Sequence, residues 1–175
     1  VTVVVTDPNF YLMRHPLYIT TPQVSESEAT VNVQVEMACY TNQKTLKTEL
    51  VITDAAGNEV ARQTEDLVFN RKMRTCEYPL KEVKLTNPKL WDCEHPHLYT
   101  AKVTIYHENG EVADCVTERF GVRSLEFSPK FGMKLNGKKI LLKGIANHHS
   151  LGALGSAAYP RAIEKRIQML KEFGV

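Results

Sequence analysis

Long apolar runs, blocks of like charge and closely spaced cysteines are all missing from this 175-residue chain. No uncharged stretch reaches the ~20 apolar residues of a membrane-spanning helix. With 22 basic against 20 acidic residues and a net charge of +2, the chain carries no electrostatic footprint for nucleic acid or an anionic lipid surface. Cys39, Cys76, Cys93 and Cys115 form no CxxC or other close metal spacing. Their wide separation reads as buried free thiols, with an even number leaving disulfides open. Gly152-Ala153-Leu154-Gly155-Ser156 is rich in small residues but has neither a P-loop lysine nor GxGxxG spacing, which excludes a phosphate cradle. An initiating Met and a basic-then-apolar leader are also missing, as expected of a mature or excised piece of a longer protein.

What is there is ordinary globular composition, 43% hydrophobic and 24% charged, arranged largely with a period of two. Val31, Val33, Val35 and Met37 alternate with Thr30, Asn32, Gln34 and Glu36. Leu46, Thr48, Leu50 and Ile52 repeat the pattern, as do Tyr99, Ala101, Val103 and Ile105. Each run predicts a half-buried strand with one wet face. Asp54-Ala55-Ala56-Gly57-Asn58 marks a turn, and Asn109-Gly110 is a hairpin signal leading into Val112–Phe120. Leu67-Val68-Phe69 reads as a further short strand. At the start, Val1–Val5 reads as a β-branched strand broken by Asp7-Pro8-Asn9, and Leu17-Tyr18-Ile19 as a second piece stopping at Thr21-Pro22. Short strands joined by turns over ~100 residues predict a mostly β fold, an immunoglobulin-like antiparallel β-sandwich. Residues 1–17 are then a lead-in strand from an upstream domain, and 18–127 the sandwich.

Residues 128–175 are of another kind. Asn136-Gly137 joins Met133-Lys134-Leu135 to Lys139-Ile140-Leu141 as a hairpin. Ile140–Ile145 then reads as a buried strand that ends in four polar residues, Asn147-His148-His149-Ser150. A Gly/Ala/Ser-rich loop follows, and a helix Pro160–Phe173 with Pro at its first position and Gly174 as its stop. Ile163, Ile167 and Leu170 form its apolar stripe, with Arg161, Lys165, Arg166 and Lys171 mostly on the other side. Strand, polar strand-end, loop and helix make the opening of an α/β barrel, where sites collect at strand C-termini. One strand and one helix cannot bury each other's apolar faces. A truncated (β/α)8 barrel domain is therefore expected over 128–175, packing on the sandwich or on another chain.

Asn87-Pro88-Lys89-Leu90-Trp91, followed by Pro96-His97-Leu98-Tyr99, resembles the loop-strand signature of glycoside hydrolase family 2. That family includes β-galactosidases, β-glucuronidases and β-mannosidases. Phe120-Gly121-Val122-Arg123-Ser124-Leu125-Glu126-Phe127 resembles its linker from sandwich to barrel. Leu135-Asn136-Gly137-Lys138, with Leu142-Lys143-Gly144-Ile145 and His148, is similar to its first barrel strand, and Leu170–Gly174 to the end of its first barrel helix.

The resemblance implies a retaining β-glycosidase that degrades carbohydrate, β-galactosidase being the first expectation and β-glucuronidase or β-mannosidase the next. Retention needs two carboxylates about 5 Å apart. The family's two glutamates belong to later barrel strands, beyond Val175, so this piece is expected to be catalytically silent. His148 matches a histidine that lines the pocket of the non-reducing sugar. Asn147 and His149 flank it and complete the candidate substrate-binding set. Asn147 stands where the family commonly has Arg, Ser150 where an acidic residue is common, and Leu151 where a second His is frequent. No metal or other cofactor is expected, since adjacent histidines on a strand point to opposite faces and do not readily share one ion. The expected partner is a β-glycoside, with no nucleic acid and no membrane. A periplasmic or secreted location rests on analogy alone. The competing reading is a stand-alone immunoglobulin-like binding or adhesion module, against which the strand-end and helix argue. Sugar binding by the sandwich itself would call for clustered exposed aromatics, and the aromatics are scattered. Trp91, near Pro88 and Pro96, reads as packing at the sandwich's end.

Overall fold

The structure is a computed structural model describing residues 3–40, 45–69, 73–148 and 150–175. It divides into two compact units, Val1–Lys138 and Lys139–Val175.

In the first unit the period-two pattern becomes two antiparallel sheets. The strands are β1 (Phe10–Val24), β2 (Glu28–Cys39), β3 (Thr45–Thr53), β4 (Glu59–Val68), β5 (Met73–Pro79), β6 (Val83–Thr86), β7 (Tyr99–Tyr106) and β8 (Val112–Phe120). One sheet runs β1-β2-β5, with β6 also paired to β2, and the other runs β4-β3-β7-β8. Val31, Val33, Val35 and Met37 of β2 share one core with Leu46, Leu50 and Ile52 of β3 and Ala101, Val103 and Ile105 of β7. Burying those side chains, each of the Val, Leu, Ile and Met residues worth about 1.5–3 kcal/mol, holds the sandwich together. The fold is the expected immunoglobulin-like sandwich.

Several local expectations change. Val3, Val4 and Val5 form no strand and stand 75–92% exposed, because β propensity makes a strand only where another strand supplies hydrogen bonds. Leu17–Ile19 does not stop at Thr21-Pro22. It belongs to one long β1, whose register against β2 shifts between Leu12 and Leu17 and again between Thr20 and Gln23. Those irregularities hold Pro16 and Pro22, which cannot donate to a ladder, and His15 at φ 54. Leu67-Val68 is the end of a single β4 rather than a short separate strand. Of the cysteines, Cys39 and Cys76 are buried thiols, whereas Cys93 and Cys115 are exposed.

Beyond β8 come β9 (Leu125–Ser128) and β10 (Gly132–Leu135), antiparallel with Met133 opposite Phe127. Asn136 at φ 49 and Gly137 at φ 75 then reverse the chain into β11 (Lys138–Ile140). Both central residues lie in the left-handed region, as a primed hairpin turn requires.

In the second unit the expected strand over Ile140–Ile145 is not formed beyond β11. Leu141, Leu142 and Ile145 are 81, 69 and 53% exposed. An apolar run of this kind becomes a parallel strand only between neighbouring strands, and none borders it among the described residues. A single 3₁₀ turn, Gly152–Leu154, leads to α1 (Pro160–Glu172). Pro160 occupies the helix start, where its missing N–H costs nothing. At the other end Gly174, φ 81, donates to Lys171 O and Val175 N to Leu170 O. This crossed pair is a Schellman stop.

Candidate functional site

The residues singled out for chemistry lie on the loop that precedes α1. Asn147, His148 and Ser150 are exposed, and His149 lies outside the described residues. What organises the loop is Arg166, projecting from the middle of α1. Its Nη1 donates to Asn147 Oδ1 at 2.8 Å and to His148 O at 2.9 Å, and Nη2 donates to Ser150 O at 2.6 Å. One guanidinium fork thus gathers three acceptors from a segment that has no ladder of its own. With Oδ1 engaged, Asn147 offers Nδ2 as its remaining donor. The His148 imidazole can donate at one ring nitrogen and accept at the other. Together they present short-range hydrogen-bonding groups that suit hydroxyl-rich ligands.

Arg166 was placed on the wet side of the helix by the sequence pattern, and the structure reverses that. The half-buried row of α1 is Ala162, Arg166 and Leu170, spaced four apart, whereas Ile163 and Ile167 stand 38 and 57% exposed. The i, i+4 spacing of Arg166 with Ala162 and Leu170 was the signal that it shared their row. Counting the arginine as a surface charge hid it.

Carboxylates elsewhere serve local structure. Glu164 pairs with Arg161 at 2.7 Å, Glu118 lies 3.6 Å from His15 Nδ1, and Glu111 accepts from Asn109 Nδ2 at 2.8 Å. Among the described residues no group of three or more His, Cys, Asp or Glu is placed to hold a metal ion.

Residues 16–123 match the family described as glycosyl hydrolases family 2. The chain is 38% identical, over 90% of its length, to a putative beta-glucuronidase of Formosa agariphila, covering 18% of that protein. It is 31% identical, again over 90% of its length, to beta-galactosidase BoGH2A of Bacteroides ovatus, of which it also covers 18%. Among solved structures, a glycosyl hydrolase family 2 member from Bacteroides cellulosilyticus superposes with a TM-score of 0.87 at 29% identity, over 95% of this chain and 23% of that one. Bacteroides uniformis beta-glucuronidase gives 0.83 at 26%, over 96% of this chain and 21% of that one. The chain therefore spans about a fifth of the length of the relatives it matches.

Proposed function

The chain belongs to glycosyl hydrolases family 2, and from that premise we propose that it is the sandwich and barrel-entry portion of a retaining β-glycosidase. The observation that carries the proposal is the family match across 16–123, which covers the sandwich from within β1 to just past the end of β8. Similarity to a putative beta-glucuronidase and to a beta-galactosidase supports a β-glycoside as substrate. A β-galactoside is the first to test, with a β-glucuronide and a β-mannoside beside it.

In this reading His148 and Asn147 bind hydroxyls of the non-reducing sugar, and His149 stands next to them. Arg166 does not touch sugar. It holds Asn147 Oδ1 and the His148 carbonyl where those groups can meet one. The two carboxylates that carry out retaining hydrolysis are supplied by a part of the enzyme outside these residues, so the chain by itself is inert. The exposed side of α1, with Ile163, Ile167 and Phe173, is where the remainder of a barrel would pack.

Hydrolysis of a panel of nitrophenyl β-glycosides, run on this chain and on the full-length gene product, tests the proposal. The full-length protein should cleave one β-glycoside and the chain none. His148→Ala in the full-length protein should lower kcat/KM about 100-fold, the scale of one hydrogen bond that strengthens in the transition state. Arg166→Ala should lower it about tenfold through a displaced loop. No hydrolysis by the full-length protein would refute the glycosidase reading, and an unimpaired His148→Ala would refute the site.

A further inference from the structure

The segment Gly121–Ser124 reads as a linker in sequence, yet it is pinned at consecutive residues. Gly121 leaves no room for a side chain: a Cβ there would lie 2.8 Å from Cβ and Cγ of Trp91. Val122 is fully buried in the sandwich core, and its carbonyl accepts the Trp91 amide at 2.8 Å. The guanidinium of Arg123 lies 4.8 Å over the Trp91 ring, and its carbonyl accepts the Thr21 hydroxyl at 2.8 Å. Ser124 exchanges both of its backbone groups with Asn136. Its N–H donates to Asn136 Oδ1 at 2.9 Å, and its carbonyl accepts Asn136 N at 2.9 Å. The remaining end of the Asn136 amide, Nδ2, donates to Trp91 O at 3.0 Å.

We infer that Asn136 is a positioning residue, the lock of a rigid joint that makes the Trp91 loop, the 121–124 connection and the β9–β10 hairpin one body. Both ends of the side-chain amide are engaged for this purpose. A side-chain amide can accept from Ser124 at Oδ1 while it donates to Trp91 O from Nδ2, and asparagine also tolerates the positive φ that the turn requires. Asp keeps the turn and the acceptor but puts a carboxylate against the Trp91 carbonyl. Gly keeps the turn and loses both contacts. The joint fixes where the chain leaves the sandwich at Lys138, and a tether of Gly, Ser and charged residues would not. The inference is independent of the glycosidase reading.

Trp91 is the only tryptophan, so its fluorescence reports the joint directly. In the full chain, N136D and N136G should both shift Trp91 emission to the red and raise its quenching by iodide. The Ser124 amide should exchange about tenfold faster in N136G but stay protected in N136D, which retains the acceptor. G121A, which displaces the indole from the other side, supplies the emission of a dislodged Trp91. Far-UV circular dichroism of each variant must match the parent, which separates a lost joint from a lost fold. Emission and Ser124 exchange unchanged in N136G would overturn the inference. So would equal loss of Ser124 protection in N136D and N136G, since that is a general loosening rather than the loss of one contact.

Discussion

Thr48 shows at a single residue what the period-two pattern can and cannot convey. It occupies a core position of β3 between Leu46 and Leu50, only 1% exposed, and its Oγ1 has no hydrogen-bond partner among the described residues. The alternation told which way it points, but a threonine in an apolar row looks the same whether its hydroxyl is paired or orphaned. Burying an unpaired hydroxyl costs roughly 1–3 kcal/mol. Thr48→Val keeps the β-branched shape and should therefore raise stability by about 1 kcal/mol in urea denaturation. A loss instead would mean that the hydroxyl is paired in solution. The cysteines make a second case, because their spacing suggested four buried thiols and the fold exposes two. Cys39 and Cys76 lie in the core, and burial, with Cys39 close by, pushes the Cys76 thiol up from its ordinary value. Thiolate is the reactive form. Ellman's reagent should therefore modify Cys93 and Cys115 quickly in the native chain, and Cys39 and Cys76 only after unfolding. Four equally fast thiols would contradict the burial.

Among the elements, β2, β3 and β7 were legible because each has one continuous apolar face and one wet face. Strands β5 and β6 and the full length of β4 were not. Leu67 is the one fully buried residue of β4, and the strand is held by its ladder along the whole of β3 and by charge. Arg62 reaches Glu49 at 2.5 Å and Glu59 at 2.6 Å, both raising its already high pKa. A polar edge strand of this sort resists pairing with another molecule, and it gives a periodicity reading nothing to detect. Turns were legible in place but not always in type. Asn136-Gly137 is a primed turn, whereas Asn109-Gly110 closes its hairpin with Gly110 alone at positive φ, its amide donating to His107 O at 2.9 Å. The loop after Trp91 adds a pH dependence. Asp92 Oδ1 accepts the amides of His95 at 2.6 Å and Glu94 at 2.8 Å, and these bonds, that from His95 foremost, hold its carboxyl below the ordinary 3.8. A depressed carboxylate contributes stability that is fully present above pH 3.8 and is lost as pH falls through the lower, folded value. Trp91 fluorescence should show a step as pH falls below about 4. Asp92→Asn, which keeps an acceptor oxygen and removes the titration, should abolish that step, and an identical acid step in the variant would assign it to another group.

Across the whole molecule, the sequence patterns divide according to whether their partners are present. The sandwich brings both of its apolar faces with it, so its central strands β2, β3 and β7 could be read and are found. The second unit brings one apolar run and one amphipathic helix, and among the described residues neither finds the neighbours that a parallel βα layer requires. The candidate site inherits that division. Asn147 and His148 could be singled out from a resemblance, but the Arg166 contacts that gather their loop arise only when the helix folds back on the loop before it, 18 and 19 residues upstream. The energetic consequence is uneven stability. No residue of α1 is fully buried, and a 13-residue helix with one half-buried row for cover is marginal in water. By contrast Val33, Val35, Leu50, Ile52, Val103 and Ile105 of β2, β3 and β7 are at most 2% exposed, and opening them means unfolding the domain. Amide exchange of the chain should therefore be slower in β2, β3 and β7 than in α1 by more than about 1,000-fold, the ratio implied by a global stability of about 5 kcal/mol. Adding segments of the full-length protein that cover the α1 stripe should close that gap. Slow exchange of α1 in the chain alone, rising with protein concentration, would instead show a second copy lying on Ile163, Ile167 and Phe173.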